Sequence, residues 1–151
     1  DYKFLLDVRK MLMEKVGKLE FPDALLKRIM RLNNQDKDEK FVEDNYDKSI
    51  EELTWHLIKE QLVKANDIKV EQDDILNMAK ETTRAQFAQY GMLSVPEEIL
   101  DNYAKEMLKK KESIEGLVNR VVETKLASAL KTQVTLENKN ISAADFNKMF
   151  E

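Results

Sequence analysis

Glycine and proline are scarce in this sequence, and most of them stand where one helix would end and the next begin. The 151 residues contain three glycines and two prolines. Gly17 follows a run of apolar residues spaced three and four apart, and Pro22 opens the next such run; Gly91 and Pro96 repeat the arrangement. Glycine commonly ends helices and proline is tolerated in their first turn. Because the turns that join β-strands need many more glycines and prolines, we expect an all-α chain.

The spacing of apolar residues predicts seven helices. The run from Lys109 to Glu112 is either continuous helix or a short break between the fifth and sixth. For the last helix, Ser142 is the expected N-cap, with Asp145 three residues later. The expected helical segments are residues 1–16, about 22–32, about 38–65, about 71–90, 96–107, about 114–134, and a short one after Ser142.

Four connectors share one layout, in which apolar and polar residues alternate between a helix end and a new helix start. Leu93 and Val95 are expected to pin one such corner, as Leu19 and Phe21 would pin another. The long helices carry narrow apolar stripes and many charges, which favours extended helical hairpins over a round bundle. The connectors are GKLEFPDALL (17–26), NDIKVEQDDIL (66–76), GMLSVPEEIL (91–100) and NKNISAADF (138–146).

Composition and missing motifs argue against several classes of function. Charged residues make up 36% of the chain, both signs are interspersed, and the net charge is −4, so no basic stripe favours nucleic acid. Cysteine is absent, and no apolar run reaches the length of a membrane span. The sequence shows neither a nucleophile–base constellation nor a phosphate-binding loop, so we expect no enzyme activity and no cofactor.

His56 is the one histidine, with Glu52 and Glu60 four residues to either side. The three side chains could share a helical face and hold a divalent ion. Such spacing is common on solvated helices, and a metal site usually needs a further ligand. We therefore predict no metal site and favour a solvated face, with Trp55 as a core anchor.

The connectors and the last thirty residues resemble the C-terminal domain of bacterial trigger factor. The segment EQLVKANDIKV (60–70) is the most specific part, and it is followed by an acidic helix start and AQFAQYG (85–91). KVGKLEFPDALLKRIM (15–30) is similar to the same domain, and VVETKLASALKTQVTLENKNISAADFNKMF (121–150) is similar to its closing hairpin and final helix. The resemblance spans essentially the whole chain, as one domain of residues 1–151.

The resemblance implies an all-α fold with a body and two helical-hairpin arms. It also implies an ATP-independent, ribosome-associated chaperone of the bacterial cytoplasm, in which other domains dock on the ribosome and isomerise prolyl bonds. The chain starts at Asp1 within a helical pattern, so we expect a fragment of a longer protein. The implied partners are unfolded or nascent polypeptides, with the ribosome reached only through a domain outside this sequence, and with neither nucleic acid nor membrane bound directly.

Seven methionines suit a surface that adapts to many clients. Met13 is the expected exposed residue of the first helix, because Leu12 and Val16 would take the inward face. Any one of these side chains more often packs internally than on a binding surface. The candidate client-binding residues are Met13, Met30, Met78, Phe87, Tyr90, Met92, Met107 and Met149.

Other functions remain compatible with the sequence. A helical assembly module would bind one defined partner through one saturable interface. A periplasmic chaperone would share the helical architecture, although no export signal is visible. Exposed apolar patches also allow weak self-association.

Overall fold

The computed structural model describes residues 2–137 and 139–149, and over this part the chain is all-α. The observed boundaries confirm the expected helices to within a few residues. The helices are α1 (Tyr2–Val16), α2 (Asp23–Asn33), α3 (Glu39–Ala65), α4 (Gln72–Gln89), α5 (Glu97–Met107), α6 (Lys111–Lys131) and α7 (Ala143–Lys148).

Two of the three glycines and both prolines stand at the boundaries that the sequence predicted. Gly17 has φ +69° directly after α1, and Gly91 has φ +80° two residues after α4. These left-handed conformations favour glycine, which has no Cβ to clash with the backbone. Pro22 and Pro96 immediately precede α2 and α5. Gly17 and Gly91 therefore end helices, and Pro22 and Pro96 begin them.

Side-chain caps fix several of the other helix starts. Asp38 accepts a hydrogen bond from the Phe41 amide at 2.9 Å at the start of α3. Ser142 caps α7 as predicted, accepting from the Asp145 amide at 3.1 Å. The fifth and sixth helices are separated by a short break and are not continuous, since α5 ends at Met107 and α6 begins at Lys111.

A body forms where α1 and the C-terminal halves of α3 and α6 meet. Its buried centre is Val8, Leu126 and Leu130, and further apolar side chains pack around it. On the other side of α1, Arg9 lies over the Trp55 ring at 5.8 Å and donates to Glu52 at 2.7 Å. Trp55 is buried, which confirms it as a core anchor. The residues packed around the centre are Phe4, Leu12, Leu62 and Ile68.

The first arm is an antiparallel hairpin of α2 and the N-terminal half of α3. Lys27 pairs with Glu43 at 2.7 Å and lies 4.9 Å from the Tyr46 ring. The Tyr46 hydroxyl donates to Asp23 at 2.6 Å. Burial, together with this hydrogen bond to an acidic partner, raises the pKa of Tyr46 to about 12. The contacts tie the base of α2 to the middle of α3.

The second arm consists of α4, α5 and the N-terminal half of α6. Its buried centre is Ala79, Ala104 and Leu117, whose small residues allow the helices to approach closely. Lys80 of α4 forms ion pairs with Glu97, at 3.1 Å, and with Asp101, both on α5. Each arm is thus built on one half of a helix whose other half belongs to the body.

The corner between α3 and α4 is fixed to the body by its apolar residue. Ile68 packs against the body core, and its amide donates to the Val63 carbonyl at 3.0 Å. Asp67, with φ +47°, makes the turn possible. The prediction that an apolar residue pins such a corner is confirmed here.

The corner between α4 and α5 differs from the prediction. Leu93 is 84% exposed and pins nothing, whereas Val95 is half-buried. The Met92 amide donates to the Phe87 carbonyl at 3.0 Å, so backbone hydrogen bonds close this turn. The expectation for Leu93 was wrong because the corner lies at an arm tip, where there is no body surface to receive an inward side chain.

Candidate functional site

An apolar groove of about 610 Å³ lies between α1 and the C-terminal segment, defined as residues 134–137 and 139–149. Phe4, Val8 and Met11 line one wall; they are spaced four and three residues apart and so share one face of α1. The opposite wall comes from the C-terminal segment, with Val134, Leu136, Ile141, Phe146 and Met149.

The groove is open, and much of its apolar lining is accessible. Met11 is 40% exposed and Met149 is 51% exposed. Leu136, Ile141 and Phe146 are also exposed. Neighbouring apolar side chains left accessible together mark a surface that can bind another apolar chain.

The rim of the groove carries charges that are paired with one another. Lys3 and Asp7, one helical turn apart on α1, form an ion pair. Glu137 and Lys139 form a second pair, at 3.1 Å, on the C-terminal segment. All four residues line the groove.

A second, smaller apolar site lies at the tip of the second arm. Phe87 and Tyr103 meet edge to face with ring centroids 5.2 Å apart. Together with Gln86 and Tyr90 they line a cavity of about 210 Å³. Tyr90 is 83% exposed, so its ring forms an open wall of this cavity.

A third apolar surface runs along α2. Leu25, Ile29 and Leu32 are spaced four and three residues apart and are all exposed, Leu25 at 54%. Leu26 and Met30, which are partly buried, occupy a different face of the helix. The helix therefore carries apolar side chains on two faces, and one of them is open to solvent.

The eight candidate residues do not converge on one site. Met149 lies in the groove, and Phe87 and Tyr90 lie in the tip cavity. Met92 is exposed in the turn next to that cavity. Met30 is partly buried on the first arm.

Met78 and Met107 lie inside the second arm rather than on a binding surface. Both pack against its buried centre. The Thr83 hydroxyl donates to the Met107 sulfur at 3.6 Å. These contacts give both methionines a packing role.

The expectation for the first helix was wrong. Met13 is only partly exposed, whereas Met11 and Val16 are exposed, the latter at 43%. Met13 lies seven residues after Leu6 and shares its face, and Leu6 lines a cavity with Trp55 of α3. Met13 therefore lies on the face of α1 that α3 covers, while Met11 lies on the same face as Phe4 and lines the groove.

The sequence did not single out most of the groove. The apolar spacing predicts one inward face that holds Phe4, Val8, Met11, Leu12 and Val16, whereas the first three line the groove and Val16 is exposed. The signal was available in the many apolar residues of α1, which exceed what one buried stripe requires. The spacing of Leu136, Ile141 and Phe146 does not follow a helical period, so the sequence did not identify them as lining a groove.

His56 is exposed, and Glu52 pairs with Arg9 instead of turning towards it. Within residues 2–137 and 139–149, no group of three or more histidines and carboxylates could hold a metal ion. None of the helices in the described part is long and apolar enough to cross a membrane.

Comparison with known proteins identifies the type of domain. The chain matches the family described as "Probable trigger factor, C-terminal domain" over residues 1–150. No curated protein matches the chain, and no solved structure matches it either. The C-terminal domain of trigger factor is a chaperone module and is separate from that protein's isomerase domain. With essentially its whole length matched, the chain belongs to the family of trigger factor C-terminal domains.

Proposed function

We propose that this domain binds exposed hydrophobic segments of unfolded or nascent polypeptides, without ATP, and so prevents their aggregation. The observation that carries the proposal is the open groove between α1 and the C-terminal segment, whose apolar lining is accessible. The tip cavity and the exposed face of α2 supply further apolar surface. The family's chaperone role is consistent with several such surfaces on one charged framework.

Apolar contact supplies most of the affinity in this proposal. Burial of apolar surface contributes roughly 25 cal/mol per Å². Association costs about 4–15 kcal/mol in lost freedom of motion. One groove therefore binds weakly, and a client gains affinity by touching two or three surfaces at once.

Weak, additive binding also explains release without nucleotide hydrolysis. A client that buries its own apolar segments removes them from the groove, and the equilibrium shifts towards the free domain. In a full-length parent, we propose that other domains provide ribosome docking and prolyl isomerisation, and that the protein works in the cytoplasm.

The test is suppression of aggregation of a chemically denatured protein, followed by light scattering with no nucleotide present. We expect the wild-type domain in molar excess to reduce scattering. The double variant Met11→Ser/Phe146→Ser, which makes both groove walls polar, should be less effective. Asn77→Ser/Asn119→Ser, which changes two exposed polar residues on α4 and α6, is the matched control.

Unchanged aggregation at excess wild-type domain would contradict the proposal. An assembly module for one defined partner predicts that result, because it would ignore diverse clients. Suppression with several unrelated clients separates the two functions.

A further inference from the structure

We infer that the groove selects a short apolar run in a client and is indifferent to the sign of the charges beside that run. The inference rests on the proposed function and specifies the segment that the groove takes. It follows from two properties of the groove, which are the pairing of its rim charges and the length of its α1 wall.

The rim charges cancel within each wall. Lys3 and Asp7 compensate each other on α1, and Glu137 and Lys139 do so on the C-terminal segment. A third local pair, Asp145 with Lys148 at 3.7 Å, lies on α7. At these positions a client charge of either sign meets a neighbouring pair of opposite charges instead of an excess of one sign.

The length of the α1 wall limits the segment that fits. From Phe4 to Met11 the helix advances about 10 Å, at 1.5 Å per residue. An extended chain covers about 3.3 Å per residue. The wall thus accommodates about three to four extended apolar residues, and the residues on either side of them lie at the charged rim.

Three fluorescein-labelled peptides test the inference. All carry the same core, Leu-Val-Phe-Leu, flanked on both sides by two lysines, two glutamates or two serines. Their affinities are measured by fluorescence anisotropy in about 0.1 M salt, where the screening length is about 10 Å and distant charges of the domain contribute little. Repeating the titrations in about 1 M salt reduces that length to about 3 Å.

We expect the wild-type domain to bind the three peptides with dissociation constants that agree within about twofold, and we expect salt to change their order little. Met11→Ser should weaken all three. Asn119→Ser, which changes an exposed polar residue of α6 outside the groove and the tip cavity, should leave them unchanged.

Breaking the ion pair on α1 should create a preference for one flanking charge. The sign of that preference should depend on which of the two residues is replaced. Lys3→Gln leaves Asp7 uncompensated, so the lysine-flanked peptide should gain about two- to fivefold over the glutamate-flanked one. Asp7→Asn leaves Lys3 uncompensated and should favour the glutamate-flanked peptide by a similar factor. Lys110→Gln and Glu98→Gln remove the same charges from the second arm and should produce neither preference.

The outcomes separate this inference from the proposed function. A strong, salt-sensitive preference of the wild-type domain for one charge would overturn the inference, as would wild-type affinity for all three peptides in Met11→Ser. Absence of peptide binding, with aggregation suppression intact, would also overturn it and leave the proposed function standing. If the domain neither binds peptides nor suppresses aggregation, the proposed function is wrong and the inference falls with it.

Discussion

Lys125 Nζ lies 2.5 Å from Asp74 Oδ2, so a side chain in the middle of α6 holds the first turn of α4. The same ammonium donates to the Lys69 carbonyl at 2.9 Å, in the corner that precedes α4. Asp74 in turn accepts a hydrogen bond from the Glu71 amide at 2.8 Å, which caps the helix. One lysine thus secures both the corner and the helix that leaves it.

Lys125→Met should loosen the base of the second arm without unfolding the body. The variant keeps a long aliphatic side chain but removes the two polar contacts across the corner. We expect amide hydrogen exchange in residues 68–76 to accelerate several-fold, because local opening no longer has to break these contacts. Lys111→Met, which removes an exposed lysine from the first turn of the same helix, is the control and should leave that segment protected.

Acid should remove the contribution of Asp74. The ammonium of Lys125, and after it the Glu71 amide, lowers the pKa of Asp74 below its ordinary value. A depressed folded pKa stabilises the fold above the unfolded value, about 3.9, and the benefit disappears as pH falls through the folded pKa. We expect Asp74→Asn to melt below Asp73→Asn near neutral pH, and the two melting temperatures to converge in strong acid. A constant difference across the pH series would contradict this assignment.

The body core should depend strongly on Leu126 and little on surface leucines. Leu126 is fully buried next to Val8 and Leu130. Leu126→Ala should reduce the free energy of unfolding by about 2–5 kcal/mol, because it leaves a cavity. Leu25→Ala, on the exposed face of α2, should change it by about 0.5 kcal/mol or less. Urea denaturation measures both, and equal losses would show that the core is misplaced.

Two glycine substitutions should act in opposite directions. Gly91 has φ +80°, so Gly91→Ala forces a Cβ into the left-handed region at a cost of about 1 kcal/mol. Gly116 lies inside α6, where alanine is the better helix former by about 1 kcal/mol. No neighbouring atom lies within 4 Å of the added Cβ at either site, so backbone conformation alone decides the sign. Thermal melts should show Gly91→Ala below wild type and Gly116→Ala above it.

Helix positions could be predicted from the sequence because local signals determine them. The glycine stop and proline start around residues 91–96 act on the backbone within one turn, wherever the rest of the chain lies. The Ser142 cap is equally local, and its predicted hydrogen bond is present. The break before Lys111 carries neither glycine nor proline, which is why the sequence left it open.

The choice of which helix faces are covered could not be predicted so well, because it depends on other helices. Residues of α1 contact α3 on one side, while Phe4 and Val8 belong both to the body core and to the wall of the groove. Periodicity shows that Met11 and Met13 lie on different faces, but only the arrangement of α3 decides which face is covered. The exposure of Leu93 likewise depends on where an arm ends.

Both arms are continuous with the body through unbroken helices, α3 at about 40 Å and α6 at about 32 Å. Neither arm can change its angle unless one of these helices bends, and α3 contains neither glycine nor proline to favour a kink. The distance between the groove and the first arm is therefore set by the bending stiffness of α3 rather than by a hinge. Under the proposed function, a client that touches the groove and the first arm must supply the flexibility itself, so the spacing between its apolar runs becomes a selection rule.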